Sequence, residues 1–232
     1  MKVKWICSIM KSNLLIKNNL TSMQIFSLSF LLAYCSFFYE LCFAQLLSSL
    51  LGGTYLQYAI SIGLFTFSLG MGTLIYERIK SNFSFQRIFL FIELSIVLII
   101  FISPWFMIIL SNRGFNFLLY FPLLLIGLFT GLELPLLINQ NDKLFTKTLA
   151  IDYGGMILAA ISFPLLFFPK VGLLPSLYLI SLLNLLSVSL LIKKRVHQVV
   201  CISLIIIFVI LILVNIDLLN SLSSQLLELH HD

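Results

Sequence analysis

Seven apolar stretches, at 23–50, 56–76, 88–110, 115–138, 148–168, 172–192 and 199–216, constrain this chain more than any other feature. Most have the ~20 residues that a helix rising ~1.5 Å per residue needs to cross ~30 Å of hydrocarbon. Lipid offers the backbone no hydrogen-bond partner, so segments of this length span it only as helices. The expected fold is all-α, a polytopic bundle of about seven transmembrane helices.

The basic residues fall on alternate connections. Lys2, Lys4, Lys11 and Lys17 precede the first stretch; Arg78, Lys80 and Arg87 lie between the second and third. Lys143 and Lys147 follow the fourth, and Lys193, Lys194 and Arg195 follow the sixth, leaving only Arg113 and Lys170 on the other side. By the positive-inside rule the N-terminus is expected in the cytoplasm, and an odd number of spans puts the tail outside, most simply across a bacterial inner membrane. The net charge of +5 is then an insertion signal. A nucleic-acid partner would require a basic face clustered outside lipid, and none is expected.

With 232 residues, 60% of them hydrophobic, the chain is expected to be a basic leader (1–22), a bundle (23–216) and a short acidic tail (217–232). Leader and tail are each too short to build a core. The leader has no apolar run of signal-peptide length and no small-residue cleavage site. Cys35 and Cys42, seven residues apart on one helix face, read as packing residues, and Cys7 and Cys201 stand alone. The terminal His230, His231 and Asp232 read as a frayed tail, so neither a metal site nor a cofactor is expected.

Small residues mark the expected helix contacts. Gly63, Gly70 and Gly72 lie in the second span, Gly127 and Gly131 form a G-x-x-x-G in the fourth, and Gly154 and Gly155 open the fifth. Small side chains let backbones approach closely, which supplies the dispersion contacts that drive association in lipid. Pro104, Pro122, Pro135 and Pro164 predict kinks within spans or near their ends.

Four carboxylates interrupt the spans: Glu40, Glu93, Glu133 and Asp152, with no Lys or Arg inside any span to pair with them. Ionised acids in hydrocarbon cost several kcal/mol, so each must face the bundle interior, approach an interface, bind a cation or stay protonated. Glu93, six residues past Arg87, reads as structural, favoured by the positive end of its helix and by a snorkelling arginine. Asp152 fits a structural and a functional reading equally. Glu133 lies near the C-terminal end of its span, where the helix dipole opposes a negative charge, so something else must stabilise it. Glu133 and Asp152 sit at matched depth on a helical hairpin, a geometry able to share a proton or hold a cation. Glu40, beside Tyr39, is the most isolated acid, and Glu40, Tyr39, Glu133 and Asp152 are the ligand or proton-binding candidates.

Certain motifs carry a resemblance. Tyr39-Glu40-Leu41, Gly63 with Gly70-Met71-Gly72, Gly131-Leu132-Glu133-Leu134-Pro135, Asp152-Tyr153-Gly154-Gly155, and Phe163-Pro164 with Pro169-Lys170-Val171-Gly172 resemble the membrane domain of membrane-bound spermidine synthases. Such proteins are also described as a major-facilitator-like bundle fused to an aminopropyltransferase. The likeness runs from about Phe30 to Arg195. It implies a soluble, doubly wound domain that binds decarboxylated S-adenosylmethionine and a polyamine, yet no strand, glycine-rich turn and acidic ribose ligand follow Leu219. The chain is therefore expected not to be an enzyme itself, but to anchor or regulate an aminopropyltransferase domain on another chain and to bind a polyamine. A weaker facilitator likeness, Gly72-Thr73-Leu74 with Glu77-Arg78, supports an alternative: half of a small transporter for a proton-coupled or organic cation, pairing with a second copy or another partner. An intramembrane hydrolase is disfavoured, because no His lies at membrane depth.

Overall fold

A computed structural model describes residues 21–79, 85–111, 113–140 and 142–191, without the side chains of 79, 142 and 188–191. The basic leader with Cys7, the residues Lys80, Lys193, Lys194, Arg195, His197 and Cys201, the expected seventh span at 199–216 and the tail lie outside the described residues. Those described form a helical membrane bundle with no strand.

Six helical segments follow in order: α1 (Ser22–Leu51), α2 (Thr54–Ile79), α3 (Phe85–Ser111), α4 (Phe121–Ile138), α5 (Phe145–Val171) and α6 (Leu173–Leu191). A 3-10 turn, Asn116–Tyr120, leads into α4, where Pro122 occupies the first turn that tolerates a missing N–H. The first six expected spans coincide with these helices to within a few residues.

α1 is the central helix and touches α2, α3, α4, α5 and α6. Two thirds of its most apolar window is buried, against about a fifth for α2, which turns most of its surface outward. Its start is fixed by a capping box: Thr21 Oγ1 accepts from the Gln24 N–H, and Gln24 Oε1 accepts from the Thr21 N–H at 3.0 Å. Its end is fixed by Gly52 and Gly53, whose φ values of 73° and 66° lie in the left-handed region and reverse the chain into α2 within two residues. Phe38, Phe43, Leu46, Leu47 and both cysteines of α1 are buried in the main core.

Glycine explains the two tightest contacts. A Cβ on Gly72 or Gly131 would run into backbone of the facing helix, Leu128 O and Leu69 O respectively, and one on Gly127 would meet Ser68 Oγ. α2 and α4 thus touch backbone to backbone, and the Thr73 hydroxyl donates across the contact to the Gly131 carbonyl at 3.2 Å. Gly155 does the same for α5 against α1, where a Cβ would strike Phe30 O and come within 3.0 Å of Tyr34 N. At the other expected packing glycines the described residues make no such close contact: Gly63 and Gly70 have none of them within 4 Å of a built Cβ, and Gly154 meets only Phe30 at 3.8 Å.

The kink expected at Pro164 takes a specific form. Pro164 and Pro169 cannot donate backbone hydrogen bonds, and between them the chain opens into a π-helical turn, Phe163–Phe167, with the Phe168 N–H reaching the Phe163 carbonyl. Phe163 and Phe167 both set their rings edge-on against Phe38, with centroids 5.2 and 5.0 Å away.

Candidate functional site

Where α2 crosses α4 and α5 crosses α1, the four helices leave a cavity of about 700 Å³. That lies within the usual range for small-molecule sites. α1 contributes Ser36 and Glu40, α2 Thr66, Thr73, Tyr76 and Glu77, α4 Thr130, Glu133 and Asn139, and α5 Asp152 and Tyr153. Leu32, Phe37, Phe65, Leu69, Leu134 and Leu137 are among the apolar residues between them. Among the described residues four carboxylates line the cavity, and no Lys, Arg or His does.

The acids are held differently. Asp152, in the third turn of α5, accepts from the Ser29 hydroxyl at 3.2 Å, so α1 orients it across the helix contact that Gly155 makes possible. Glu133 is 4% exposed, and its Oε1 is buried with no hydrogen-bond partner, as is the Thr130 Oγ1 one turn earlier on the same face. Glu40 is 3% exposed and makes no side-chain hydrogen bond with the described residues. Glu77 is exposed at the mouth, where the Asn139 amide donates to the Tyr76 hydroxyl at 3.1 Å and joins the ends of α2 and α4. No three His, Cys, Asp or Glu side chains among the described residues converge on one point, so the acids are distributed over the cavity wall.

Such a lining suits a ligand with separated cationic groups and an apolar stem. An ammonium group brings three N–H donors to carboxylates that lack them, while methylenes lie against leucine and phenylalanine. The lining extends through Glu77, Asn139 and Phe145 to the end of the bundle that carries Arg78, Lys143 and Lys147. At the opposite end the bundle is laced by uncharged pairs: Tyr58 donates to Gln45 Oε1 at 2.9 Å, and Tyr120 to Gln57 Oε1.

Of the candidates from sequence, Glu40, Glu133 and Asp152 come together on this cavity. Tyr39 does not: its ring is in the core, and its hydroxyl donates to the Ile180 carbonyl of α6 at 3.3 Å. Glu93 is fully buried, and its partner is not Arg87, which is exposed, but the Asn184 amide of α6, which donates to Glu93 Oε2. In the sequence Glu77 stands out only beside Arg78 in the facilitator-like motif, and the cavity adds it to the acids. Thr66 with Thr73, seven apart on α2, and Thr130 with Glu133, three apart on α4, are helical spacings that mark a polar face in otherwise apolar spans.

No family model matches the chain, and no solved structure does. Curated sequences do match. A polyamine aminopropyltransferase of Leptospira interrogans is 33% identical over 162 residues, covering 66% of this chain and 32% of that protein. Polyamine aminopropyltransferase 2 of Ralstonia nicotianae is 29% identical over 167 residues (67% and 32%), and the Oceanobacillus iheyensis enzyme 30% identical over 166 residues (67% and 32%). The chain's relatives are polyamine aminopropyltransferases. It spans about a third of the length of the curated relatives it matches. The expectation that the chain is not an enzyme is thereby corrected, because the proteins that match two thirds of it bear an enzyme's name and point to an enzyme.

Proposed function

We propose that this chain is the membrane-embedded helical part of a polyamine aminopropyltransferase, and that its acidic cavity receives a polyamine. The observation that carries the reading is the cavity lined by Glu40, Glu77, Glu133 and Asp152, with no basic side chain among the described residues. The names of the relatives supply the class of ligand, and the alternation of carboxylates with apolar wall supplies the fit: charge-assisted contacts for the ammonium groups and dispersion contacts for the methylenes. A buried carboxylate without a donor is costly, and a ligand that brings donors recovers that cost.

In this reading the bundle lies in the bacterial cytoplasmic membrane with its N-terminus inside, and the cavity opens towards the cytoplasm, where polyamine and aminopropyl donor meet. An aminopropyltransferase domain on another chain and a second copy of this chain are the protein partners that this arrangement accommodates. Orientation is tested by reporter fusions after Arg87 and Lys147, which read cytoplasmic, and after Gly53 and Arg113, which read external; inverted signals overturn it. The ligand is tested by titrating spermidine and putrescine into the purified protein in lipid nanodiscs. Saturable binding that Glu133→Gln weakens supports the site. Equal heats from wild type and variant, or uptake of the cation into sealed vesicles without any membrane-associated transferase activity, overturn the proposal.

A further inference from the structure

The carboxylates of the cavity are spaced along the bundle axis, and hydrogen bonds between helices fix their heights. The Ser29 hydroxyl of α1 donates to Asp152 Oδ1 at 3.2 Å, with the Thr148 carbonyl 3.3 Å from the same hydroxyl, so Asp152 of α5 stands level with Ser29. α2 runs antiparallel to α1: the Tyr58 hydroxyl donates to Gln45 Oε1, and the Ser48 hydroxyl to Thr54 Oγ1. Thr73, fifteen residues along α2 from Tyr58, therefore returns to the height of Phe30 on α1. Its hydroxyl donates to the Gly131 carbonyl at 3.2 Å, two residues before Glu133, so Glu133 and Asp152 flank the same end of the cavity. Glu40 is eleven residues beyond Ser29, which places it ~16 Å further along the axis at ~1.5 Å per residue. Ser36 and Thr66 line the stretch between, with Ala33 and Phe37. Glu40 and Glu133 are 3% and 4% exposed, and Glu133 Oε1 has no hydrogen-bond partner. Glu77 is exposed beside Asn139 and Phe145, where a solvated contact is worth less.

We propose that the cavity selects linear cations by length: it holds a triamine lengthwise, one terminal ammonium group at Glu133 and Asp152 and the other at Glu40, in preference to a short diamine. An extended chain advances ~1.2 Å per bond and each ammonium–carboxylate contact adds ~2.8 Å, so nine bonds between end nitrogens, as in spermidine, reach ~16 Å from acid to acid. A four-carbon diamine, with five bonds, reaches ~12 Å and leaves one end without its carboxylate. Transfer of an aminopropyl group adds four bonds, or ~5 Å, to an amine. A cavity of this length thus tells the amine after such a transfer from the diamine before it, and is a site for the product class of the reaction for which the relatives are named. The inference rests on the polyamine reading of the cavity and adds to it a length.

The experiment is calorimetric titration of the full chain in lipid nanodiscs with spermidine and with the α,ω-diamine series from putrescine to 1,12-diaminododecane. Empty nanodiscs and n-octylamine, which has the stem of 1,8-diaminooctane and only one charge, are the controls. Affinity passes through a maximum near 1,8-diaminooctane, whose end nitrogens are as far apart as those of spermidine, and there exceeds that for putrescine and for n-octylamine by about tenfold, the worth of one charge-assisted contact. Glu40→Gln removes the maximum and lowers spermidine affinity about tenfold, while putrescine, held at Glu133 and Asp152, changes by less than about twofold. Glu40→Asp draws the carboxylate back by one methylene, moves the maximum to a diamine one methylene longer, and decides the matter if Glu40→Gln does not fold. Affinity that climbs steadily with chain length, or that n-octylamine matches, is apolar partition and overturns the length selection while the cavity reading stands. A Glu40→Gln variant that loses putrescine and spermidine equally does the same. Binding of neither spermidine nor any diamine overturns the cavity reading and the length selection with it.

Discussion

The two flanks of α1 solve the same packing problem in opposite ways. On one flank, α2 meets α4 and α5 meets α1 through glycine, backbone against backbone, and the space between these contacts is left open. On the other, α3 and α6 present Phe89, Ile92, Ile96, Ile100, Leu174 and Leu177, all buried. The acids follow the packing: Glu93 on the filled flank has an amide fitted to it, whereas Glu40 and Glu133 on the open flank have no side-chain donor among the described residues. A carboxylate between fully packed helices is explained by its protein partner. A carboxylate beside an opening needs a partner from elsewhere.

The contrast can be broken most directly at Glu133. Glu133→Gln removes the charge while keeping the shape, and polyamine affinity should fall by roughly thirtyfold, equivalent to about 2 kcal/mol for one partner of a desolvated charge pair. Unchanged affinity in calorimetry would make the open flank as structural as the filled one. A similar energy is expected in the fold from Gly131→Ala, whose Cβ collides with the Leu69 carbonyl: about 2 kcal/mol less stability, read as a lower unfolding midpoint in detergent. Asp152→Asn combined with Glu133→Gln sharpens the comparison further. If one ligand bridges the two acids, the double variant loses less than the sum of the singles, with a coupling of about 1 kcal/mol in a double-mutant cycle. Strict additivity would assign them to separate sites. The smallest effect belongs to Gly63→Ala and Gly70→Ala, where the Cβ meets none of the described residues; stability should change by less than about 0.5 kcal/mol, and a larger loss would reveal a helix packed there.

The spans were legible because hydrocarbon imposes a length that few other environments demand, so runs such as 88–110 announced α3 before any tertiary argument. The hairpin expected to pair Glu133 with Asp152 does not form as a packed pair: α4 lies on α2 and α5 on α1, and the two acids share the cavity between those contacts. What could not be read was direction around each helix axis. Tyr39 and Glu40 were grouped as neighbours, yet consecutive helical residues point about 100° apart, and here one faces α6 and the other the cavity. Gly63 and Gly70 repeat at a helical spacing as Gly127 and Gly131 do, and spacing alone does not distinguish a face turned to a helix from one turned to lipid. The setting of Glu93 depends on Asn184, 91 residues away, a relation that no local pattern carries.

The π-helical turn at Phe163–Phe167 makes α5 two helices of different phase on one axis. A turn of this kind accommodates one extra residue, so everything beyond it is rotated by about 100° relative to a regular continuation. The segment before the turn aims Asp152 and Gly155 at α1 and the cavity; the segment after it is free to follow the other side of the bundle into α6. Any comparison of this chain with a protein whose fifth helix is regular must therefore open a one-residue gap inside an unbroken helix, and residues beyond Phe167 matched without that gap would be assigned to the wrong face.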